Sequence, residues 1–248
     1  MKSILITGCS SGFGLETARH FLERDWNVIA TMRTPREDIL PPSSRLRVLA
    51  LDVTNPRSIE EVIKAAGPID ALVNNAGIGL ISASESTAMD VVRQIFETNT
   101  FGAIALVNAV LPQFRERMTG VIVNVSSTTT LKPLPLLSVY TASKAALNAF
   151  TESLAFELEQ FNVRVRVVLP GRSGETRFGE NARPLMLNTT SEPYIALMQQ
   201  IFAQMSQPAP FTRPQDVAEA VWRAVTDPSS AMRIPAGEDA ELLAAAIR

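Results

Sequence analysis

The sequence predicts an α/β fold, a single doubly wound parallel sheet with helices on both faces, and three observations carry that prediction. Six short apolar runs rich in β-branched residues recur along the chain, segments with helical spacing separate them, and a glycine-rich turn joins the first run to the first helix. Continuous apolar runs suit strands buried on both faces. Strands that alternate with helices imply right-handed crossovers and parallel pairing.

Taken in order, the expected strands are SILIT at 3–7, NVIAT at 27–31, LRVLALD at 46–52, DALVN at 70–74, GVIVNVS at 120–126 and VRVRVVLP at 163–170. Helices are expected near 13–23, 56–66, 88–114 and 139–160. The second of these opens on a cap, because Asn55 precedes Pro56 and a proline at the first helical position has no amide to leave unpaired. Of 248 residues, 46% are hydrophobic and 19% charged, which is ample for one large core. No linker interrupts the pattern, so one domain over 1–248 is expected.

Composition also narrows the chemistry. A net charge of -2 offers nucleic acid nothing to bind. One cysteine, Cys9, and one histidine, His20, leave neither a disulfide framework nor a Cys/His set for zinc, so no metal is expected. Cys9 is expected to be a small packed side chain and His20 a helix-face residue without a catalytic task. No charged start, apolar run and cleavage site precede the first strand, and no run of 18 apolar residues reads as a membrane span, so a soluble cytoplasmic protein is expected.

The turn TGCSSGFG sets Gly8, Gly12 and Gly14 between a strand and a helix, where glycine permits a tight turn and close approach of a pyrophosphate to backbone amides. About 20 residues beyond such glycines, NAD enzymes carry an acid that bonds the ribose 2'-hydroxyl. Met32 and Arg33 stand there instead. With no carboxylate to repel a 2'-phosphate and a guanidinium able to fork onto one, NADP(H) is expected in preference to NAD(H), the runner-up. Further along, YTASK sets Tyr140 and Lys144 one helical turn apart, on one face.

TGCSSGFG, LDVT at 51–54, NNAG at 74–77, VNVSS at 123–127, YTASK at 140–144 and PG at 170–171 occur in that order. With them the chain resembles the short-chain dehydrogenase/reductase family over roughly its first two thirds, and VIATMR is similar to the hydroxysteroid dehydrogenase and carbonyl reductase branch. The resemblance implies a Rossmann-type fold and hydride exchange between NADP(H) and a small-molecule ketone, aldehyde or secondary alcohol. It sets Gly8, Ser10, Ser11, Gly12, Phe13 and Gly14 around the pyrophosphate and adenosine phosphate, Asp52 and Val53 at the adenine, and Asn75, Ala76 and Gly77 along the ribose. Asn99, Ser127, Tyr140 and Lys144 match the family's catalytic tetrad, and Pro170, Gly171 and Ser173 follow on the nicotinamide side. Ser127 is preferred to Ser126 for its spacing from the tyrosine, with Ser126 as its rival.

Reduction of a ketone needs a proton donor that no histidine here supplies, so Tyr140 is the candidate. Its ordinary pKa of about 10 is expected to fall beside the Lys144 ammonium and an oxidised nicotinamide ring. Lys144 should also hold the nicotinamide ribose, Ser127 should position the substrate oxygen, and Asn99 should support a water that relays protons to the lysine.

The sequence departs from the family in places. Thr130 stands where a glycine usually follows the serine pair, Ser173 where an apolar residue commonly backs the nicotinamide, and RSGETRF after Pro170 is one residue longer than usual. The segment 175–212 is expected to be a substrate lid carrying Leu185, Met186, Leu187, Tyr194, Ile195, Met198, Ile201, Phe202 and Met205, although 194–205 reads equally well as a helix packed on the core. The long apolar helices that hold Asn99 and Tyr140 resemble those that family members pair across a subunit interface, which implies a homodimer or homotetramer. Two other classes compete, a non-catalytic dinucleotide sensor and an S-adenosylmethionine methyltransferase. Neither has a use for a proton donor.

Overall fold

A computed structural model describes residues 1–174, 176, 191–205 and 207–247. Seven strands, β1 (Ser3–Ile6), β2 (Asn27–Met32), β3 (Leu46–Ala50), β4 (Ala71–Asn74), β5 (Gly120–Val125), β6 (Val163–Pro170) and β7 (Arg233–Ala236), form one sheet in the order β3-β2-β1-β4-β5-β6-β7. Every pairing is parallel. This is the doubly wound Rossmann-type sheet that the alternating pattern predicts.

Strands β1 to β6 feed two cores because successive side chains leave opposite faces. On one face Ile4, Ile6, Val28 and Val73 pack with Phe21 of α1 (Gly12–Leu22) and with Val217 and Val221 of α7 (Pro214–Thr226). Phe21 meets the rings of Trp26 and Trp222 edge-on, with centroids 5.2 and 5.1 Å away. His20 stands on the same helix against Trp222, 5.8 Å between centroids. On the other face Leu5, Ile29, Leu72 and Ile122 pack with Ile59 of α2 (Pro56–Ala66), Leu106 of α4 (Gly102–Arg117) and Leu154 of α5 (Ser138–Leu158).

The six expected strands all form. The Asn55 cap forms as well, its Oδ1 accepting from the amides of Arg57 (3.0 Å) and Ser58 (3.4 Å). Three elements were not expected: β7, α7 and the last helix α8 (Glu238–Ala246). β7 has only four residues and includes a proline, which an edge strand tolerates. The expected helix over 88–114 is α3 (Met89–Phe96), a π turn over Glu97–Phe101 and α4, running together through 29 residues. By length and composition that helix could cross a membrane, contrary to the sequence expectation. Its Leu106, Val107, Val110 and Phe114 are nevertheless fully buried against the sheet, the packing of a core helix.

Consecutive strands run outward in one direction from β1 to β3 and in the other from β4 to β7, so β1 and β4 flank the point where the winding reverses. Loops leaving the carboxyl ends of the strands meet there, and a crevice at such a point is where open α/β sheets bind ligands. Gly8, Arg33, Asn75, Ser127 and Gly171 all lie just beyond those strand ends.

Candidate active site

The first turn is stitched to the end of β4. Thr7 Oγ1 accepts from the amides of Asn75 and Ala76, each at 2.9 Å, while Asn75 Nδ2 donates to the carbonyls of Thr7 (2.9 Å) and Gly8 (3.3 Å). Gly8 and Gly12 take φ of 73° and 58°, in the left-handed region, and a side chain on Gly14 would overlap Asn75 Nδ2. Ser11, the N-cap of α1, makes no side-chain cap hydrogen bond, and the first turn carries no acid. The leading amides of α1 are therefore available to an anion, at the positive end of the helix dipole. Bare backbone, a tight turn and uncapped amides fit a dinucleotide pyrophosphate.

Other expected cofactor residues fall around this cradle. Ser10 is exposed and Ser11 and Phe13 are half-buried at its mouth, and Arg33 is exposed directly after β2. Asp52 accepts from Thr54 N (2.9 Å) and Thr54 Oγ1 (2.8 Å), which leaves its second oxygen for an adenine edge, and Val53 beside it is buried. The side chain of Asn75, a residue expected along the ribose, is engaged by the turn itself. The cradle thus depends on Asn75 for its shape.

Tyr140, Lys144 and Ser127 lie between α5 and the end of β5. Tyr140 and Lys144 leave one face of α5, both buried. Ser127 follows β5 and caps the short 3-10 turn Thr128–Thr130, and its hydroxyl hydrogen-bonds the Tyr140 phenol. Ser126 Oγ turns the other way and donates to Lys144 O (3.3 Å), so the alternation of side chains past β5 gives Ser127 the position facing the tyrosine. Lys144 Nζ donates to Val125 O (2.9 Å), and a side chain on Gly77 would press against both that Nζ and Asn99 Oδ1.

Asn99 sits in the π turn, a break in helical register often found at functional sites. Its amide is fully engaged: Oδ1 accepts from Ile78 N (2.8 Å), and Nδ2 donates to Ile78 O (2.9 Å) and Ser143 Oγ (3.1 Å). The side chain therefore braces the loop that follows β4 against α5.

Burial sets the protonation of the pair. It pushes the Tyr140 phenol up to about 12, with the Ser127 hydrogen bond pulling the other way, and brings the Lys144 ammonium down to about 8. The expected lowering of the phenol does not occur in the protein alone. Desolvation of the phenolate outweighs the Ser127 hydrogen bond, and the Lys144 ammonium is turned to the Val125 carbonyl.

The loop after β6 is held by residues that no motif marks. Thr212, fully buried, accepts from Gly171 N (2.8 Å), donates its own amide to Arg172 O (2.7 Å), and has its hydroxyl within reach of Ala236 O (2.8 Å) and Asp239 Oδ1 (2.7 Å). Asp239, in the first turn of α8, accepts from Arg172 N (2.6 Å). Ser173 Oγ, next along this loop, is buried without a hydrogen-bond partner among the described residues, as a group that meets a polar ligand would be. Asp239→Ala would strand the Arg172 amide, and is expected to lower stability by about 2 kcal/mol in urea denaturation and to weaken NADPH binding in a fluorescence titration. Unchanged values for both would show that the clamp does not hold the loop.

Of the expected lid, α6 (Ile195–Met205) is a helix with Ile195 and Phe202 exposed and Leu197, Met198 and Ile201 half-buried. Residues 177–190, with Leu185, Met186 and Leu187, lie outside the described residues.

A Rossmann-type sheet with a phosphate cradle at its switch point defines a nicotinamide-dependent oxidoreductase once its relatives are considered. The chain belongs to the short-chain dehydrogenase family, whose model, described as short chain dehydrogenase, matches residues 2–185. Retinol dehydrogenase 8 of Homo sapiens is 34% identical over 254 residues, covering 94% of this chain and 80% of that protein. A short-chain dehydrogenase from Streptomyces avermitilis superposes with a TM-score of 0.82 at 31% identity, covering 99% of this chain and 92% of the other. The closed form of serine dehydrogenase complexed with NADP+ gives 0.80 at 29% identity, covering 96% and 95%.

Proposed function

We propose that the protein is an NADP(H)-dependent carbonyl reductase for apolar ketones or aldehydes, working in the cytoplasm, with Tyr140 as the proton donor. The observation that carries this reading is the buried Ser127, Tyr140 and Lys144 cluster beside the glycine cradle. A bound nicotinamide supplies the hydride. Tyr140, which burial keeps protonated up to about 12, donates to the oxygen on which negative charge develops. Ser127 holds that oxygen, and Lys144, at about 8, is poised near neutrality to return a proton to the phenol. Asn99 keeps the intervening loop in place through Ile78.

Arg33, exposed after β2 with no carboxylate in its place, supports a contact to the 2'-phosphate. An apolar substrate is supported by the apolar side chains of α6 and by the likeness to retinol dehydrogenase 8. A homodimer or homotetramer is supported by Phe156 of α5, 80% exposed, and Phe101 at the end of the π turn, 51% exposed.

The test is loss of nicotinamide absorbance with NADPH, and separately NADH, against small, aryl, polyene and steroidal ketones and aldehydes. Turnover that prefers NADPH supports the reading, and tight NADPH binding without turnover on any of them favours a sensor. Arg33→Ala is expected to raise the KM for NADPH about tenfold or more while leaving NADH nearly unchanged. Equal effects on the two would refute the phosphate contact.

A further inference from the structure

The turn that follows Ser127 is built from three consecutive threonines, and the hydroxyls of Thr129 and Thr130 are both engaged. Ser127 Oγ accepts two hydrogen bonds, from the amide of Thr129 (3.2 Å) and from Thr129 Oγ1 (3.1 Å). A hydroxyl has two acceptor positions and a single proton. With both acceptor positions occupied by Thr129, the proton of Ser127 has one direction left, and the phenol oxygen of Tyr140 is its hydrogen-bond partner there.

We propose that Thr129 is a positioning residue that points the Ser127 proton at Tyr140, and that Thr130 and Asn148 fix the turn in register with the helix carrying the tyrosine. The proposal rests on the reductase reading for its function, though not for its geometry. Thr130 Oγ1 donates to Ser127 O (2.7 Å) and accepts from Asn148 Nδ2 (2.9 Å). Asn148 is buried on α5, two turns beyond Tyr140 and one beyond Lys144, so the turn and the helix are bolted together on the face that carries the reacting groups. The threonine that replaces the family's glycine is thus a structural member. In the free protein the donation from Ser127 leaves the phenol's own proton unshared with Ser127, and a substrate oxygen seated against the phenol would take up the Ser127 proton in that same direction while the phenol donates its own.

The chain has two tyrosines, Tyr140 and Tyr194, which makes a direct readout practical. In the free full-length protein labelled with carbon-13 at tyrosine Cζ, Tyr140→Phe assigns the two resonances and Ser127→Ala gives the shift for complete loss of the hydrogen bond. Thr129→Val, nearly isosteric, is expected to move the Tyr140 resonance at least half as far in the same direction. Thr129→Ser should return it to the wild-type position. In turnover, Thr129→Val is expected to lower kcat about fivefold, the effect of one neutral hydrogen bond, with the KM for NADPH unchanged. Thr130→Gly, which folds with no added bulk, should move the resonance less and lower kcat by a similar factor. A Tyr140 resonance that stays at the wild-type position in Thr129→Val, or a serine variant that behaves like the valine one, overturns the proposal. Expected shifts in a protein that reduces nothing would instead sink the reductase reading and leave the hydrogen-bond arrangement standing.

Discussion

Tyr140→Phe is expected to lower kcat for carbonyl reduction about 10²- to 10⁴-fold, the span that general acid catalysis supplies. The substitution removes one oxygen from a buried site and leaves Ser127 and Lys144 in place. Tyr140 is 7% exposed, its hydroxyl hydrogen-bonds Ser127, and phenylalanine keeps the ring while losing that hydroxyl. NADPH affinity, measured by fluorescence titration, should stay within a few-fold of wild type, because the cradle is built from Gly8, Gly12, Gly14 and the amides of α1. A rate loss without a binding loss assigns the phenol to the chemical step. Turnover within threefold of wild type would remove Tyr140 from the reaction and move attention to a bound water as the donor.

The pH profile separates the phenol from the lysine. Burial holds the phenol proton up to about 12, so the donor itself keeps its proton throughout the neutral and mildly alkaline range. A decline in reduction rate centred near 8 therefore belongs to Lys144.

How much of this was legible in the sequence depends on how local each signal is. The strands were, because a parallel sheet buried on both faces writes itself as unbroken apolar runs such as VIVNV. The glycine turn and YTASK were, because each is a short motif whose chemistry depends on neighbours in sequence. Thr212 and Asp239 were not: their hydrogen bonds to Gly171 and Arg172 span 41 and 67 residues, and nothing local marks a threonine or an aspartate for such a task. The edge strand β7 offered only four residues, too few to show a period. The direction in which the Tyr140 pKa moves was hidden for another reason. A lysine one turn from a tyrosine suggests only what the two charges do to each other, whereas burial of both groups decides the outcome.

That burial has a thermodynamic consequence at Lys144 large enough to measure. Below about 8 the lysine is charged in both folded and unfolded protein, and the folded state bears the full penalty of desolvating it. Between about 8 and its ordinary 10.5 the folded protein releases the proton first, so stability rises with pH across that window. Tyr140 acts with the opposite sign: its raised pKa contributes stability that is fully present below 10 and is lost as pH climbs toward 12. A tenfold change in proton affinity on folding is worth about 1.4 kcal/mol, and the hydrogen bond from Lys144 to Val125 O offsets about 1 kcal/mol of the lysine's penalty. Lys144→Met, similar in length and at home in a buried site, is therefore expected to be more stable than wild type at neutral pH by about 2 kcal/mol. In urea denaturation its advantage should shrink as pH passes from 8 to 10.5, while turnover is largely lost at every pH. A variant less stable than wild type at neutral pH would mean that the ammonium is well solvated or well paired where it sits. Stability gained where activity is lost would instead mark Lys144 as a charge the fold keeps for its chemistry, against its own interest in a dry core.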